Sequence, residues 1–153
     1  MLYVLALSIG VIAGLRAMTA PLAIALAAHF DWLNLDGTFL AFLGSQCAVI
    51  ILLIAAIGEL IADQLPSTPS RKVPVQFGTR LLMGAVTGGA IAAAAAPLWI
   101  GAIIGIIGAI IGTLGGSAVR GKLAASFGKD RPAALIEDVV AIGGAALIVL
   151  ALM

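Results

Sequence analysis

The sequence predicts an all-α fold: a polytopic membrane helix bundle of about five transmembrane helices, with the N-terminus inside and the C-terminus outside. Three observations predict it. Of 153 residues, 63% are apolar and only 10% charged, against roughly 25% charged in an ordinary soluble domain. The apolar residues gather into runs of spanning length, and the mean hydropathy is +1.24. The basic residues collect in alternate loops. So few polar side chains cannot cover a water-facing surface, which leaves the bilayer as solvent and no room for a soluble catalytic domain. The length suits a single transmembrane domain, 1–153.

The five runs cover approximately 2–28, 38–60, 78–96, 98–119 and 133–152, each at or near the ~20 residues that cross the hydrocarbon. Backbone polar groups in lipid must be paired within the segment or in a closed barrel. Barrel strands alternate polar and apolar residues, and these runs do not, so helices are expected. The first run lacks the basic leader of a secretory signal, since no Lys or Arg precedes Arg16. It reads as a retained helix, with a kink or break near Pro21 left open. A polar stretch from Asp31 to Gly37 follows. The longest polar stretch runs from Asp63 to Phe77, where Pro66, Pro69 and Pro74 oppose helix. Pro97 marks a tight turn, and Pro132 suits the first position of the last helix. Arg71, Lys72 and Arg80 lie in or beside the second loop and Arg120, Lys122, Lys129 and Arg131 in or beside the fourth, while the first and third loops have no Lys or Arg. Basic loops stay cytoplasmic, which sets the expected orientation. Trp32 and Trp99 then fall at the outer interface as aromatic anchors. Cys47 is the only cysteine, so an intrachain disulfide is excluded, and a small packing residue is expected there.

The fourth run carries Gly101, Gly105, Gly108, Gly112 and Gly115 at alternating spacings of four and three. Such a seam lets another backbone approach closely, as small residues do in membrane helix packing. Shorter versions occur at Gly10 and Gly14 and at Gly84 and Gly88.

The charged residues supply the candidate site. Arg16 sits deep in the first run, beside Thr19 and Pro21. A guanidinium at such depth costs about 2.5–3.5 kcal/mol on insertion scales and must face a carboxylate, the bundle interior or a wet cavity. Glu59 and Asp63, four apart, share one helix face. They suit ion pairing with Arg80 and Arg120, a proton relay, or a divalent metal. Glu137 and Asp138 lie near the start of the last helix. The only histidine, His29, lies at the outer boundary, and no phosphate loop, dinucleotide fingerprint or nucleophile elbow is present.

The run Gly14-Leu15-Arg16-Ala17-Met18-Thr19-Ala20-Pro21, the run Glu59 to Asp63 with Pro66, Pro69 and Arg71, the glycine helix closing at Arg120, and the pair Glu137-Asp138 together resemble a bacterial family of small multi-pass membrane proteins of unknown function. The resemblance spans nearly the whole chain and departs from the family pattern at Ser117, where an aromatic is common. It implies the same topology, the same charged residues and a bacterial inner-membrane location, but no activity.

The expected function is a small membrane transporter or channel-like protein for a small or anionic solute, with proton or ion coupling as an option. Its expected binding residues are Arg16, Thr19, Glu59, Asp63, Arg80, Arg120, Glu137 and Asp138. The expectation includes no catalytic residue and no cofactor. The expected partners are the lipid bilayer and further copies of the chain in a homodimer or higher homo-oligomer, with no nucleic acid. One alternative is a membrane-embedded enzyme acting on a lipid phosphate, with Mg²⁺ on Glu59 and Asp63. Another is a structural scaffold subunit.

Overall fold

A computed structural model describes residues 1–65 and 72–153. Pro66, Pro69 and Arg71, invoked above, lie outside the described residues. The described residues are all-α, without strands. The helices are α1 (Leu2–Leu15), α2 (Thr19–His29), α3 (Gln46–Ala62), α4 (Pro74–Ala93), α5 (Leu98–Phe127) and α6 (Asp130–Leu152), with a short 3-10 turn at Ala41–Gly44 ahead of α3. Of these, α5 and α6 are long and apolar enough to cross a membrane.

Local chemistry sets most of the boundaries. Ser45 caps α3, its hydroxyl accepting from the Ala48 N–H at 3.2 Å. Pro74, expected to oppose helix, is the first residue of α4, a position where its missing N–H costs nothing. The α5 helix runs two turns past Arg120 and ends at Gly128, whose φ of 68° is the left-handed cap that glycine adopts without strain. The last helix begins at Asp130, so Pro132 is its third residue rather than its first. Cys47 is exposed on the first turn of α3 rather than packed.

Contacts between glycines fix the helix directions. Gly10 of α1 lies against Gly105 of α5, and Gly14 lies further along against Gly112 and Thr113, so α1 runs parallel to α5. Gly84 and Gly88 of α4 meet Gly105 and Gly101 in the reverse order, so α4 is antiparallel to α5. Gly144 of α6 meets Ile12, and Asp138, earlier in α6, pairs with Arg16, later in the chain than Ile12; α6 is antiparallel to α1.

The first apolar run is therefore not one straight helix. Ala28 at the end of α2 lies against Gly44, just ahead of α3, while the N–H groups just ahead of α2 meet Glu59 near the end of α3. Thus α2 is antiparallel to α3. The far end of α3, at Asp63, meets Arg16 and Arg120, which places it with the end of α1. Leu22 and Leu26 of α2 share a cavity wall with Ala145 and Val149, the part of α6 that runs back along α1, so α1 and α2 run in opposite directions, as a hairpin turning at Arg16–Met18. Arg16 itself is extended, with φ −139° and ψ 111°. The break falls before Pro21, which sits inside the first turn of α2. With 14 and 11 residues, each arm is shorter than the ~20 residues of a full crossing. In the bundle, α1 starts, and α6 finishes, at the end where α5 begins. A window of hydropathy cannot tell two short apolar helices folded back on each other from one long helix, which is why 2–28 reads as a single run.

Two packing regimes result. Four of the five seam glycines are in close contact: a Cβ at Gly101 or Gly105 would fall on α4 backbone, and one at Gly108 or Gly112 on α1 backbone. Gly115 would meet nothing within 4 Å. The seam is thus used within the chain, between α5 and its neighbours α1 and α4. By contrast, α3 buries a single residue, Ala56, and exposes Ile50, Ile51, Leu53, Ile54, Ile57 and Ile61.

Candidate functional site

The hairpin turn leaves helix ends inside the bundle, and their backbone groups need partners. At the end of α1, the Arg80 guanidinium donates to the Gly14 and Leu15 carbonyls at 2.8 and 2.7 Å. The Thr113 hydroxyl adds a bond to the Gly14 carbonyl at 3.2 Å. At the start of α2, the Glu59 carboxylate accepts from the Ala17 and Met18 N–H groups, both at 2.8 Å. A cation thus meets the negative end of one helix dipole and an anion the positive end of the next. Arg80 and Glu59 stand 3.7 Å apart, so the two caps also balance each other's charge.

Arg16 occupies the turn and is 0% exposed. Its Nη1 donates to Asp63 of α3 and its Nη2 forms an ion pair with Asp138 of α6. The second contact lacks hydrogen-bond alignment, and Arg16 Nε is buried without a hydrogen-bond partner among the described residues. The site therefore holds this guanidinium by charge more than by a full set of hydrogen bonds. Removing one partner of such a buried pair costs about 3–5 kcal/mol, because the remaining charge stays uncompensated.

A second layer lies just beyond. Arg120 of α5 grips Asp130 at 3.0 and 2.5 Å and stands 3.4 Å from Glu137 and 3.5 Å from Asp63. It also donates to the Asp63 backbone carbonyl at 3.3 Å. The Asp63 carboxylate bridges Arg16 and Arg120, and Gln64 donates to Asp138 at 3.2 Å. Seven of the expected residues, Arg16, Glu59, Asp63, Arg80, Arg120, Glu137 and Asp138, thus join one network tying α3, α4, α5 and α6 to the hairpin turn.

Thr19 stands apart. It is 7% exposed, its hydroxyl has no hydrogen-bond partner among the described residues, and it lines a cavity of about 570 Å³ between α2, α3 and α6. Sequence reasoning missed Thr113 and Gln64. Thr113 is a polar residue within the glycine seam, and that interruption is the signal that marks it. Gln64 follows Asp63 directly and carries no separate signal.

Glu59 and Asp63 share a helix face but not a ligand, one capping α2 and the other bridging two arginines. Among the described residues no three His, Cys, Asp or Glu side chains gather so as to hold a metal ion.

A family model described as a domain of unknown function, DUF4126, matches residues 3–152. The chain belongs to this family. The match takes in the hairpin, the glycine seam and the whole charged network, so all of them lie within the DUF4126 domain. No curated protein and no solved structure matches the chain.

Proposed function

We propose that this protein is a small proton-coupled membrane transporter in which a re-entrant hairpin, α1–α2, carries the solute site at its turn. The observation that carries this reading is the backbone break at Arg16–Met18, with both helix ends capped by charged side chains of other helices. Non-helical backbone at membrane depth persists only where protein buries it or a cavity adjoins it, and discontinuous helices build the ion and substrate sites of many transporters.

The membrane setting is supported by the apolar outer faces of α3 and α6, with Val139, Val140, Leu147 and Leu150 exposed on the latter. In this reading α3, α4, α5 and α6 each cross the bilayer, and α1–α2 enters and returns. The end bearing Arg120, Lys122, Lys129 and Arg131 faces the cytoplasm, and both termini face the other side of a bacterial inner membrane. Arg16 then stands within a charged network rather than alone in mid-span. Single cysteines placed at Tyr3, Asn34 and Lys129, in a Cys47→Ser background, test this. Tyr3 and Asn34 should label from outside and Lys129 from the cytoplasm. Labelling of Tyr3 from the cytoplasm would remove the hairpin topology.

The mechanism follows from how α3 is held. Its apolar packing is slight, and Glu59 and Asp63 tie it to the hairpin turn. In the proposed cycle a proton carried with the solute offsets the charges that face Arg16, which leaves the guanidinium for an anionic solute and releases α3 from the turn. Proteoliposomes holding a pH-sensitive dye, given inward gradients of small organic anions, test the coupling. Wild type should move protons with at least one solute class, and a folded Asp63→Asn, Asp138→Asn variant should not. Proton movement that survives the double substitution would sink the mechanism, and a wild type that couples to no anion in the panel would sink the function.

A further inference from the structure

We infer that the cavity between α2, α3 and α6 binds a single alkyl chain ending in a carboxyl group, with the carboxyl at Thr19 and the chain directed towards Trp32. The inference deepens the transport reading by naming a class of cargo for its site, and it rests on that reading only for the movement that follows binding.

The cavity wall is almost wholly apolar: Leu22, Leu26, Ala56, Ile57, Ile142 and Val149 are typical of it. It begins at Thr19 and reaches Phe30 and Trp32, whose rings stack 5.1 Å apart. The 11 residues of α2 between these limits rise about 16 Å, close to one leaflet of a hydrocarbon core ~30 Å thick. An apolar wall of that length matches an extended alkyl chain.

The polar group of the ligand is set by the inner end. Thr19 is 7% exposed and lines the cavity, and its hydroxyl has no hydrogen-bond partner among the described residues. A hydroxyl facing an otherwise apolar wall favours a ligand atom that pairs with it. Glu59 takes the Ala17 and Met18 N–H groups, which leaves the Thr19 and Ala20 N–H groups of the same turn without a partner among the described residues. The positive end of the α2 dipole lies there too. Together these features favour an acceptor group, and a carboxyl supplies two oxygens. Repulsion from Glu59 is offset by Arg80 at 3.7 Å. A bilayer lipid seated with its head group at the outer boundary would bring a methyl end to Thr19 and leave the hydroxyl unpaired, which decides the orientation.

The test uses Trp32 fluorescence in phosphatidylcholine nanodiscs. Trp99→Phe leaves Trp32 as the only tryptophan. The probes are two saturated fatty acids, one brominated at the terminal carbons and one beside the carboxyl. Saturable quenching by the first and little by the second is expected. Thr19→Val should weaken binding roughly tenfold without altering the melting temperature, and Ala56→Leu should block the cavity. Stronger quenching by the carboxyl-side bromine would show the inverted orientation and overturn the proposal. Quenching that never saturates would reduce it to partition into the bilayer, and overturn it equally. Unchanged affinity in Thr19→Val would do the same. The Asp63→Asn, Asp138→Asn protein separates the two readings: quenching retained there, with proton coupling absent in wild type as well, would leave the binding site standing and the transport function refuted.

Discussion

The two sides of the bundle are held together by different physics. On the α1–α4–α5 side, backbones touch backbones. Gly10, Gly84, Gly88, Gly101 and Gly105 leave no space for even a methyl group. Dispersion between closely packed main chains holds this side, and such packing is intolerant of added volume. On the α2–α3–α6 side, a cavity of about 570 Å³ separates the helices, and α3 buries only Ala56. Ion pairs and charged caps hold one end of that side, and at the other His29 Nδ1 lies 2.9 Å from the Gly44 carbonyl beside the buried Leu33, Leu35, Leu40 and Leu43. Packed interfaces do not deform gradually, whereas the end of α3 is held by charge pairs that the proposed transport cycle would have to release.

The comparison breaks most readily at the glycines. Gly105→Ala should destabilise the protein strongly, since the new Cβ would collide with the Gly84 carbonyl. Gly115→Ala, with open space around it, should melt like wild type. Thermal unfolding in detergent reads both. Equal melting of the two variants would mean that the seam is not an interface.

The charged side is tested next. Arg16→Gln leaves the buried Asp138 without its cation and the part-buried Asp63 with Arg120 alone, so a loss of about 3–5 kcal/mol is expected. Adding Asp63→Asn and Asp138→Asn to it should recover part of that loss, because the carboxylates are then neutral. A triple variant no more stable than Arg16→Gln would show that Arg16 acts through something other than these pairs. Glu59→Gln comes third. It retains one acceptor oxygen for the two N–H groups, and a loss of about 1–2 kcal/mol is expected. Hydrogen exchange at Ala17 and Met18 should rise with it while exchange in α5 stays slow. Acceleration throughout the chain would deny that Glu59 acts locally. The smallest effect is expected at Thr113→Val, about 1 kcal/mol, because Arg80 still serves the Gly14 carbonyl.

Particular residues show how far the sequence could be read. The seam at Gly101, Gly105, Gly108 and Gly112 was legible because helical spacing alone puts those positions on one face, whatever packs there. Gly115 continues the spacing but lies past the reach of the shared face. Arg16, Glu59, Asp63 and Asp138 were legible as candidates because a charge in an apolar run is costly wherever it ends up. Pairing of Glu59 and Asp63 with Arg80 and Arg120 was among the readings open to the sequence, and Glu59 stands 3.7 Å from Arg80 and Asp63 3.5 Å from Arg120. That Glu59 also caps the start of α2, and that Asp63 and Asp138 both face Arg16, was not legible.

By itself, then, the sequence determined helical secondary structure, the apolar character of the outer surface and which residues needed partners. These are properties that each residue carries along the chain. Only the tertiary structure decided that 2–28 folds back on itself, that Arg80 and Glu59 cap the turn, and that Thr19, whose hydroxyl has no partner among the described residues, stands beside a cavity. Those outcomes depend on the direction and rotation of helices relative to one another. Hydropathy and spacing are unchanged when a helix reverses its course, so no reading along the chain can supply them.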